Sequence, residues 1–87
     1  MAVLAHNTVT GLTREQYDGI AAVLIEKLKA TPGFIAHYAW ENEGGMTVVE
    51  IWESAEQHDA WFDNNVRPNL SGEVSSEKHE LVNKVTA

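Results

Sequence analysis

The sequence predicts an α+β fold of the ferredoxin-like type, with the element order β-α-β-β-α-β and two helices on one face of an antiparallel sheet. Three observations predict it: two capping-box spacings that mark helix starts, runs of β-branched and aromatic residues that alternate with them, and a glycine-containing connection of hairpin length. We find no repeat, low-complexity tract or linker in the 87 residues. Residues 1–87 are therefore expected to form a single domain.

The first strand and the first helix are marked by local signals. Residues 2–10 (AVLAHNTVT) are rich in valine and threonine and carry no helix signal before Gly11, which predicts a strand. Thr13 and Gln16 then have the capping-box spacing, in which each side chain bonds a backbone N–H that the helix start leaves unpaired. The helix that begins there carries one apolar stripe: Tyr17, Ile20, Ala21, Leu24 and Leu28.

Two further strands form a predicted hairpin after Pro32 and Gly33 end this helix. The runs FIAHYAWE (residues 34–41) and MTVVEIWE (residues 46–53) are aromatic and β-branched. Residues 42–45, which read Asn-Glu-Gly-Gly, form a connection short enough to make the two runs antiparallel neighbours.

A second helix and a last strand complete the order. Ser54 and Gln57 repeat the capping-box spacing. Pro68 closes this helix after about three turns, at roughly 3.6 residues per turn. After a polar loop, HELVNKVTA (residues 79–87) is predicted to supply the last short strand.

Both faces of the predicted sheet carry apolar residues. In strand three, Val48 and Trp52 share one parity, and Val49 and Ile51 share the other, so neither face has the polar character of a solvated side. A chain of 87 residues leaves no spare element to cover the second face. We therefore predict a two-fold homodimer in which a second copy of the same sheet covers it.

Charge and composition restrict the partners. The formal net charge of −7, from 13 acidic and 6 basic side chains, argues against nucleic acid and anionic membranes, since both attract basic surfaces. A neutral or aromatic small molecule fits better. With no cysteine, disulfides and thiolate sites are excluded. The N-terminal residues show neither a basic leader nor a long apolar run, so a cytoplasmic protein without membrane contact is expected.

The sequence contains none of the common catalytic or metal-binding motifs. It has no glycine-rich phosphate loop, no G-x-S-x-G elbow and no H-E-x-x-H spacing. The four histidines, at positions 6, 37, 58 and 79, fall in different elements, and no two have the spacing of metal ligands. No metal site is predicted.

Two positions have two interpretations each. Asn7 lies in line with Ala5 and Val9 on one face of the first strand, so its amide is either a satisfied structural group or one that orients a ligand. On the second helix, Trp61 lies at the rim of the apolar face, near His58. A tryptophan at that place is either rim packing or the wall of a pocket.

The register of the hairpin decides which polar groups meet. Strand alternation places His37 and Tyr38 on opposite faces, with Tyr38 on the side of Phe34 and Trp40. Glu50 shares the parity of Val48 and Trp52 in strand three. An inward-facing Glu50 is a candidate base, and the alternative, which we favour, is a hydrogen-bonded or edge-exposed glutamate. Whether it meets His37 depends on the register.

The chain resembles the antibiotic biosynthesis monooxygenase family of dimeric α+β barrels. The resemblance rests on the element order, on PGF at residues 32–34, and above all on VVEIWESAEQHDAWFDNNVRPNL at residues 48–70. It covers residues 3–70 and implies the same fold and a homodimer. The superfamily includes cofactor-independent oxygenases, haem-degrading enzymes and isomerases, so the resemblance specifies the fold more closely than the reaction.

The resemblance also implies a site. Oxygenases of aromatic polyketide pathways place a first-strand asparagine, a second-helix tryptophan and another polar side chain one turn earlier in the pocket, and Asn7, Trp61 and Gln57 match them. Such sites work without metal or flavin: the substrate loses a proton, here to His6 or His37, and its carbanion reduces O₂. Asn7 and Gln57 would donate hydrogen bonds to the enolate oxygen, and Trp61 would stack on the ring. We expect further substrate contacts from five residues: His6, Tyr38, His58, Phe62 and Asn65.

The haem-degrading relatives add an iron-ligating histidine later on the second helix. Here the run after Trp61 is FDNNVRPNLSG, which contains no histidine, so haem degradation is disfavoured unless His58 or His79 takes its place. The function expected from the sequence is a cofactor-independent monooxygenase that acts on an aromatic or phenolic small molecule between sheet and helices. The alternatives are a non-catalytic small-molecule-binding barrel and a cofactor-free isomerase or cyclase.

Overall fold

The computed structural model describes residues 2–87. It confirms the ferredoxin-like α+β fold, with two helical segments packed on one face of a four-stranded antiparallel sheet. The elements are β1 (Val3–Thr10), α1 (Arg14–Lys29), β2 (Phe34–Asn42), β3 (Gly45–Trp52), α2 (Ala55–Trp61) and β4 (Val74–Glu80). Within the described residues, no helix is long and apolar enough to cross a membrane.

The sheet has the strand order β2-β3-β1-β4, so β1 and β3 are central and β2 and β4 are edges. The register places Asn7 opposite Val48 on β3 and Ser76 on β4. It also places His37 directly opposite Glu50. The polar residues of three strands therefore converge on the face that the helices cover.

Both helices begin where the capping spacings predict. Thr13 is the N-cap of α1 and forms the complete capping box: Gln16 N–H donates to Thr13 Oγ1 and Thr13 N–H donates to Gln16 Oε1, each at 3.1 Å. Ser54 caps α2 by accepting from Gln57 N–H at 3.2 Å. Its hydroxyl in turn donates to Gln57 Oε1 at 3.1 Å, so the side chain of Gln57 bonds the cap hydroxyl.

The second helix differs from the continuous α-helix predicted up to Pro68. After α2 ends at Trp61, the chain forms a π-helical turn at Phe62–Val66 and a 3-10 turn at Arg67–Asn69. The side-chain amide of Asn65 donates to Trp61 O at 3.2 Å. At the start of the wider turn, this side chain therefore competes with backbone N–H groups for a helix carbonyl. Trp61 and Phe62 are both buried, at 4% and 6% exposure, so Trp61 is a core residue and not rim packing.

The last strand lies earlier in the chain than predicted. The prediction placed it at residues 79–87, whereas β4 spans Val74–Glu80 and residues 81–87 contain no strand. The prediction followed apolar content, but Val82 and Val85 are 95% and 82% exposed. Backbone pairing with β1 holds β4 in place, and this pairing needs no apolar side chain.

The core between sheet and helices is built on aromatic residues. Leu28, Trp52 and Trp61 form its buried centre, against which Phe34 packs. A register irregularity between Phe34 and Ala36 shifts the alternation of β2. Phe34 thus contacts Trp52, with ring centroids 5.6 Å apart, and does not share a face with Tyr38 as the simple alternation predicted.

Gly45, the first residue of β3, makes a close backbone approach that leads to a stability prediction. A β-carbon at this position would lie 2.1 Å from Val9 O, so one of the two central strands would have to shift. Gly45→Ala is expected to lower the free energy of unfolding by about 1–3 kcal/mol, the usual cost of overpacking, as measured by urea denaturation. Gly44→Ala is the matched control, since a β-carbon there meets nothing within 4 Å; equal losses for both variants would contradict the prediction.

Candidate functional site

A cavity of about 60 Å³ lies between the sheet and the helical layer. Most of its lining is aliphatic or aromatic carbon from α1, β1 and the turn after α2. Five residues bring polar atoms to it: Asn7, Tyr17, His37, Glu50 and Trp61. An enclosed apolar space with a few converging polar groups is the usual form of a small-molecule site.

Asn7 ends a hydrogen-bonded chain that runs from β1 through α2 to the sheet edge. Its Nδ2 lies 3.1 Å from His58 Nε2, His58 Nδ1 lies 2.9 Å from Asp59 Oδ1, and Lys78 Nζ lies 2.9 Å from the same oxygen. Partial burial tends to raise the pKa of Asp59, but the hydrogen bonds from Lys78 and His58 outweigh it and hold that pKa below its ordinary value. Asp59 is thus a carboxylate that accepts the Nδ1 proton of His58.

This chain sets the orientation of the Asn7 amide. In the His58 tautomer whose Nδ1–H donates to Asp59, Nε2 has only a lone pair to offer, so Asn7 Nδ2 donates to it. The carbonyl oxygen of Asn7 is then the free atom of the amide. Asn7 and His58 are each 1% exposed, so water does not compete freely for this arrangement.

Two buried polar atoms around the cavity have no hydrogen-bond partner among the described residues. They are the acceptor Asn7 Oδ1 and the donor Trp61 Nε1. A buried polar atom that stays unpaired costs about 1–3 kcal/mol. An acceptor and a donor that both remain open at an otherwise apolar cavity are the features of a site made to receive a molecule with complementary groups.

A second hydrogen-bonded chain forms another part of the cavity wall. His37 Nδ1 lies 2.6 Å from Glu50 Oε2, and His37 Nε2 lies 2.5 Å from the hydroxyl of Tyr17. The other carboxylate oxygen of Glu50 accepts from Trp52 Nε1 at 2.9 Å. The register of β2 and β3 therefore brings His37 and Glu50 together, a contact that the sequence alone did not decide.

Burial raises the pKa of Tyr17, and the negative charges of Glu50 and Asp18 raise it further. The side chain is therefore a neutral phenol at neutral pH. In the His37 tautomer whose Nδ1–H donates to Glu50, Nε2 accepts the proton of the Tyr17 hydroxyl. Tyr17, His37 and Glu50 form one chain in which each donor has an acceptor.

The structure distributes the nine site residues expected from the sequence over three places. Asn7, His37, Trp61 and Phe62 line the cavity. His58 lies behind Asn7 and stacks on Phe62 with ring centroids 5.7 Å apart. The remaining four lie outside the lining: His6, Tyr38, Gln57 and Asn65.

Each of these four residues has a different neighbourhood. Gln57 packs on Gly33, where an added β-carbon would lie 2.3 Å from Gln57 Oε1. Asn65 is occupied with a backbone carbonyl of α2. His6 lies on the opposite sheet face near Trp40, with ring centroids 6.3 Å apart, and Tyr38 on that face is 58% exposed.

Sequence reasoning missed Tyr17 as a site residue and left the role of Glu50 open. Tyr17 was assigned to the apolar stripe of α1, where its ring does lie along the cavity. What distinguishes Tyr17 from the rest of the stripe is its hydrogen bond to His37, which lies on β2, 20 positions later in the sequence. No local pattern contains that pairing, because it depends on how α1 docks against β2.

An open groove of about 460 Å³ lies next to the cavity, between α1 and the segment that follows the second helix. Four leucine and isoleucine side chains belong to the lining of both spaces: Leu12, Ile20, Leu24 and Leu70. These side chains form an apolar partition between the closed cavity and the groove. No group of three or more metal-ligating side chains occurs within residues 2–87.

A family model described as antibiotic biosynthesis monooxygenase matches residues 1–66 of the chain. No protein of curated function matches it. The solved structures described below are less than 25% identical to it, so they are evidence for the fold alone.

Three of these structures illustrate the range of relatives. The haem-degrading protein of Mycobacterium tuberculosis is 22% identical with a TM-score of 0.68, and the match covers 100% of this chain and 98% of that one. The cofactor-independent oxygenase SnoaB of Streptomyces nogalater is 8% identical with a TM-score of 0.66, covering 99% and 97%. A protein of unknown function from Nitrosomonas europaea is 19% identical with a TM-score of 0.68, covering 100% and 97%.

Proposed function

The chain belongs to the antibiotic biosynthesis monooxygenase family, and we propose that it is a cofactor-independent monooxygenase acting on an aromatic or phenolic small molecule. The observation that carries the proposal is the pair of unpartnered atoms Asn7 Oδ1 and Trp61 Nε1 in a largely apolar cavity. A flat apolar molecule with a hydroxyl or carbonyl group would bury its rings in the lining. Its oxygen substituents would satisfy the two open atoms.

The amide orientation of Asn7 specifies the ligand further. Its Oδ1 accepts, so the ligand contributes a hydroxyl, whereas Trp61 Nε1 donates to a ligand oxygen. This role for Asn7 differs from the donor role expected from the sequence, because His58 already holds the N–H₂ group. The complementary ligand is a phenol or a hydroxylated anthrone, which has a hydroxyl and a carbonyl on one edge.

The reaction follows from the chemistry of such a molecule. Removal of a proton from the methylene carbon of an anthrone leaves an electron pair delocalised onto the carbonyl oxygen as an enolate. Trp61 Nε1–H would stabilise that oxygen in a water-poor site. The carbanion transfers electrons to O₂, the second substrate, and a carbon–oxygen bond forms. Loss of water completes the conversion of anthrone and O₂ to anthraquinone and water, and His37 beside Glu50 is the basic group of the site.

The size of the cavity implies that binding opens the site. Its volume of about 60 Å³ is well below the roughly 150 Å³ that a cavity holding benzene has. The neighbouring groove of about 460 Å³ is separated from it only by the apolar partition. We infer that a ligand enters by displacing these side chains, which joins the groove and the cavity into one site.

Haem does not fit the residues that surround this cavity. The run after Trp61, FDNNVRPNLSG, has no histidine to ligate iron. His58 is fully buried, and its two ring nitrogens already contact Asn7 and Asp59. The haem-degrading activity that describes the Mycobacterium tuberculosis protein is therefore not proposed for this chain.

A homodimer is part of the proposal. The sheet face opposite the helices carries apolar side chains from β1, β2 and β3, and on β2 Tyr38 and Trp40 remain 58% and 49% exposed. Residues 81–87 do not cover them, since Val82 and Val85 are themselves exposed. A second copy related by a two-fold axis would cover the face with an identical surface, which is the commonest way that an apolar sheet face is buried between identical chains.

The test is turnover of a hydroxylated anthrone by the purified protein, with and without oxygen, followed by the absorbance of the corresponding anthraquinone. Asn7→Ala is expected to lower kcat/KM by roughly 10- to 100-fold, because it removes an acceptor worth about 1–3 kcal/mol. Trp61→Phe is expected to lower kcat by about 100-fold, since the ring remains but the donor to the enolate is lost. Asn64→Ala, at an exposed position, is the control and should leave both constants unchanged.

The possible outcomes separate the alternatives. Anthraquinone formation that is insensitive to both substitutions would contradict the site. Binding of anthrone without turnover would favour the non-catalytic binding protein. Conversion of anthrone-type substrates without consumption of oxygen would favour the isomerase or cyclase.

A further inference from the structure

Neither ring nitrogen of His37 is free to meet a substrate, although the residue lines the cavity. Both ring nitrogens have protein partners: Nδ1 contacts Glu50 Oε2 at 2.6 Å, and Nε2 contacts the Tyr17 hydroxyl at 2.5 Å. A substrate would have to break one of these bonds to reach the imidazole. The Tyr17 hydroxyl ends the chain on a residue that lines the cavity, so it is the atom that a substrate proton can meet first.

The rest of the chain is built to accept a proton through that hydroxyl. Glu50 is 4% exposed, and its carboxylate receives hydrogen bonds on both oxygens, from His37 and from Trp52 Nε1. The carboxylate keeps the imidazole in the tautomer that leaves Nε2 basic and would stabilise the imidazolium that forms on protonation. A buried carboxylate has this same relation to histidine in hydrolase triads.

We propose that Tyr17 is a catalytic residue that takes the substrate proton and passes its own proton to His37. This inference rests on the proposed function, because it describes the proton-removing step of the same site. In the step, a substrate C–H or O–H bond breaks and the proton bonds to Tyr17 Oη. The hydroxyl proton of Tyr17 moves at the same time to His37 Nε2. The electron pair stays on the substrate as an enolate or phenolate, and the positive charge forms on His37 beside Glu50.

The relay removes a difficulty that a lone tyrosine would have. Tyr17 is a neutral phenol, since burial and the charges of Glu50 and Asp18 raise its pKa, so it is a weak base by itself. Coupled transfer to His37 leaves Tyr17 neutral before and after the step. The new charges are then the enolate of the substrate and the imidazolium of His37, and the imidazolium forms beside the carboxylate of Glu50, which already contacts it.

The experiment measures proton removal without oxygen chemistry. Anthrone is incubated with the protein in D₂O under anaerobic conditions, and exchange of its methylene hydrogens for deuterium is followed by NMR. The wild-type protein should accelerate exchange over the protein-free rate. Tyr17→Phe should reduce that acceleration by at least about 100-fold, the usual contribution of a general acid or base, with little change in the Kd for anthrone. Asn64→Ala, at an exposed position outside the cavity lining, is the control.

A second measurement needs no ligand. The ¹⁵N shifts of the His37 imidazole should show the proton on Nδ1 and a hydrogen-bond acceptor at Nε2, with the Nε2 shift moving in Tyr17→Phe. Glu50→Gln tests the positioning role of the carboxylate, because it should shift the tautomer and slow exchange while Glu50→Asp partly restores both.

The outcomes separate the relay from the proposed function. Exchange that depends on Tyr17 without any anthraquinone in air supports the relay and overturns the oxygenase. Anthraquinone formation with unchanged exchange in Tyr17→Phe supports the oxygenase and overturns the relay. The relay is also overturned if the wild-type protein gives no acceleration, or if His37 carries its proton on Nε2.

Discussion

Trp52→Ala is expected to lower the free energy of unfolding by about 3–5 kcal/mol, the cost of truncating a buried aromatic residue. Trp52 is 0% exposed, and its ring packs edge-on against Phe34 and His58 with centroids 5.6 and 6.1 Å away. The truncation also takes a hydrogen bond from Glu50 Oε1. A chain of 87 residues has a total stability of about 4–13 kcal/mol at roughly 0.05–0.15 kcal/mol per residue, so the variant loses a large part of it.

Urea denaturation followed by circular dichroism measures the change in the free energy of unfolding. Two further variants serve as comparisons. Trp52→Phe keeps most of the packing but removes the indole donor, so its loss of about 1–3 kcal/mol reports the unpaired Glu50 oxygen. Val82→Ala removes methyl groups at a position that is 95% exposed and should change the stability by less than about 0.5 kcal/mol. A Trp52→Ala variant as stable as Val82→Ala would show that this ring is not the centre of the core.

Trp40→Glu is expected to separate the proposed homodimer into monomers. The indole of Trp40 is 49% exposed on the apolar face of β2, where a large aromatic ring is the kind of residue that dominates an interface. Glutamate there would bring a charge, and its two-fold copy, into a desolvated contact. We expect the dimer Kd to rise by at least about 100-fold, equivalent to roughly 3 kcal/mol.

Multi-angle light scattering distinguishes the two states, since one chain has a mass of 9.6 kDa and the dimer twice that mass. Val23→Glu is the matched control, because Val23 is 75% exposed on α1, on the other side of the molecule. The wild-type protein and Val23→Glu should both be dimeric. A wild-type particle with the mass of a single chain would remove the dimer from the proposal.

The parts of the fold that could be predicted from the sequence are those encoded by neighbouring residues. The capping pairs at Thr13 and Ser54 mark both helix starts, since each pair satisfies backbone groups within one turn. Strand alternation in β1 places Asn7 on the buried face with Ala5, because that periodicity is a property of a single strand. Asn7 and Trp61 were the best site candidates, and both line the cavity.

The parts that were missed depend on contacts between distant residues. The irregularity near Ala36 changes the alternation of β2 and is defined only by its pairing with β3. The pairing of Tyr17 with His37 depends on the docking of α1. The residues of the π-helical turn at Phe62–Val66 have the sequence pattern of an ordinary helix. The turn is visible in the structure, where Trp61 and Phe62 are both buried.

The polar character of β4 determines how far the sheet can grow. This strand is an edge, and an edge with free N–H and C=O groups is a template on which another chain can add a strand without limit. Its sequence, VSSEKHE, has only hydroxyl, charged and imidazole side chains after the first valine, and Lys78 forms an ion pair with Asp59 on α2. Such an edge resists fibril-like extension, so we expect no further strand to add at β4 even at high protein concentration.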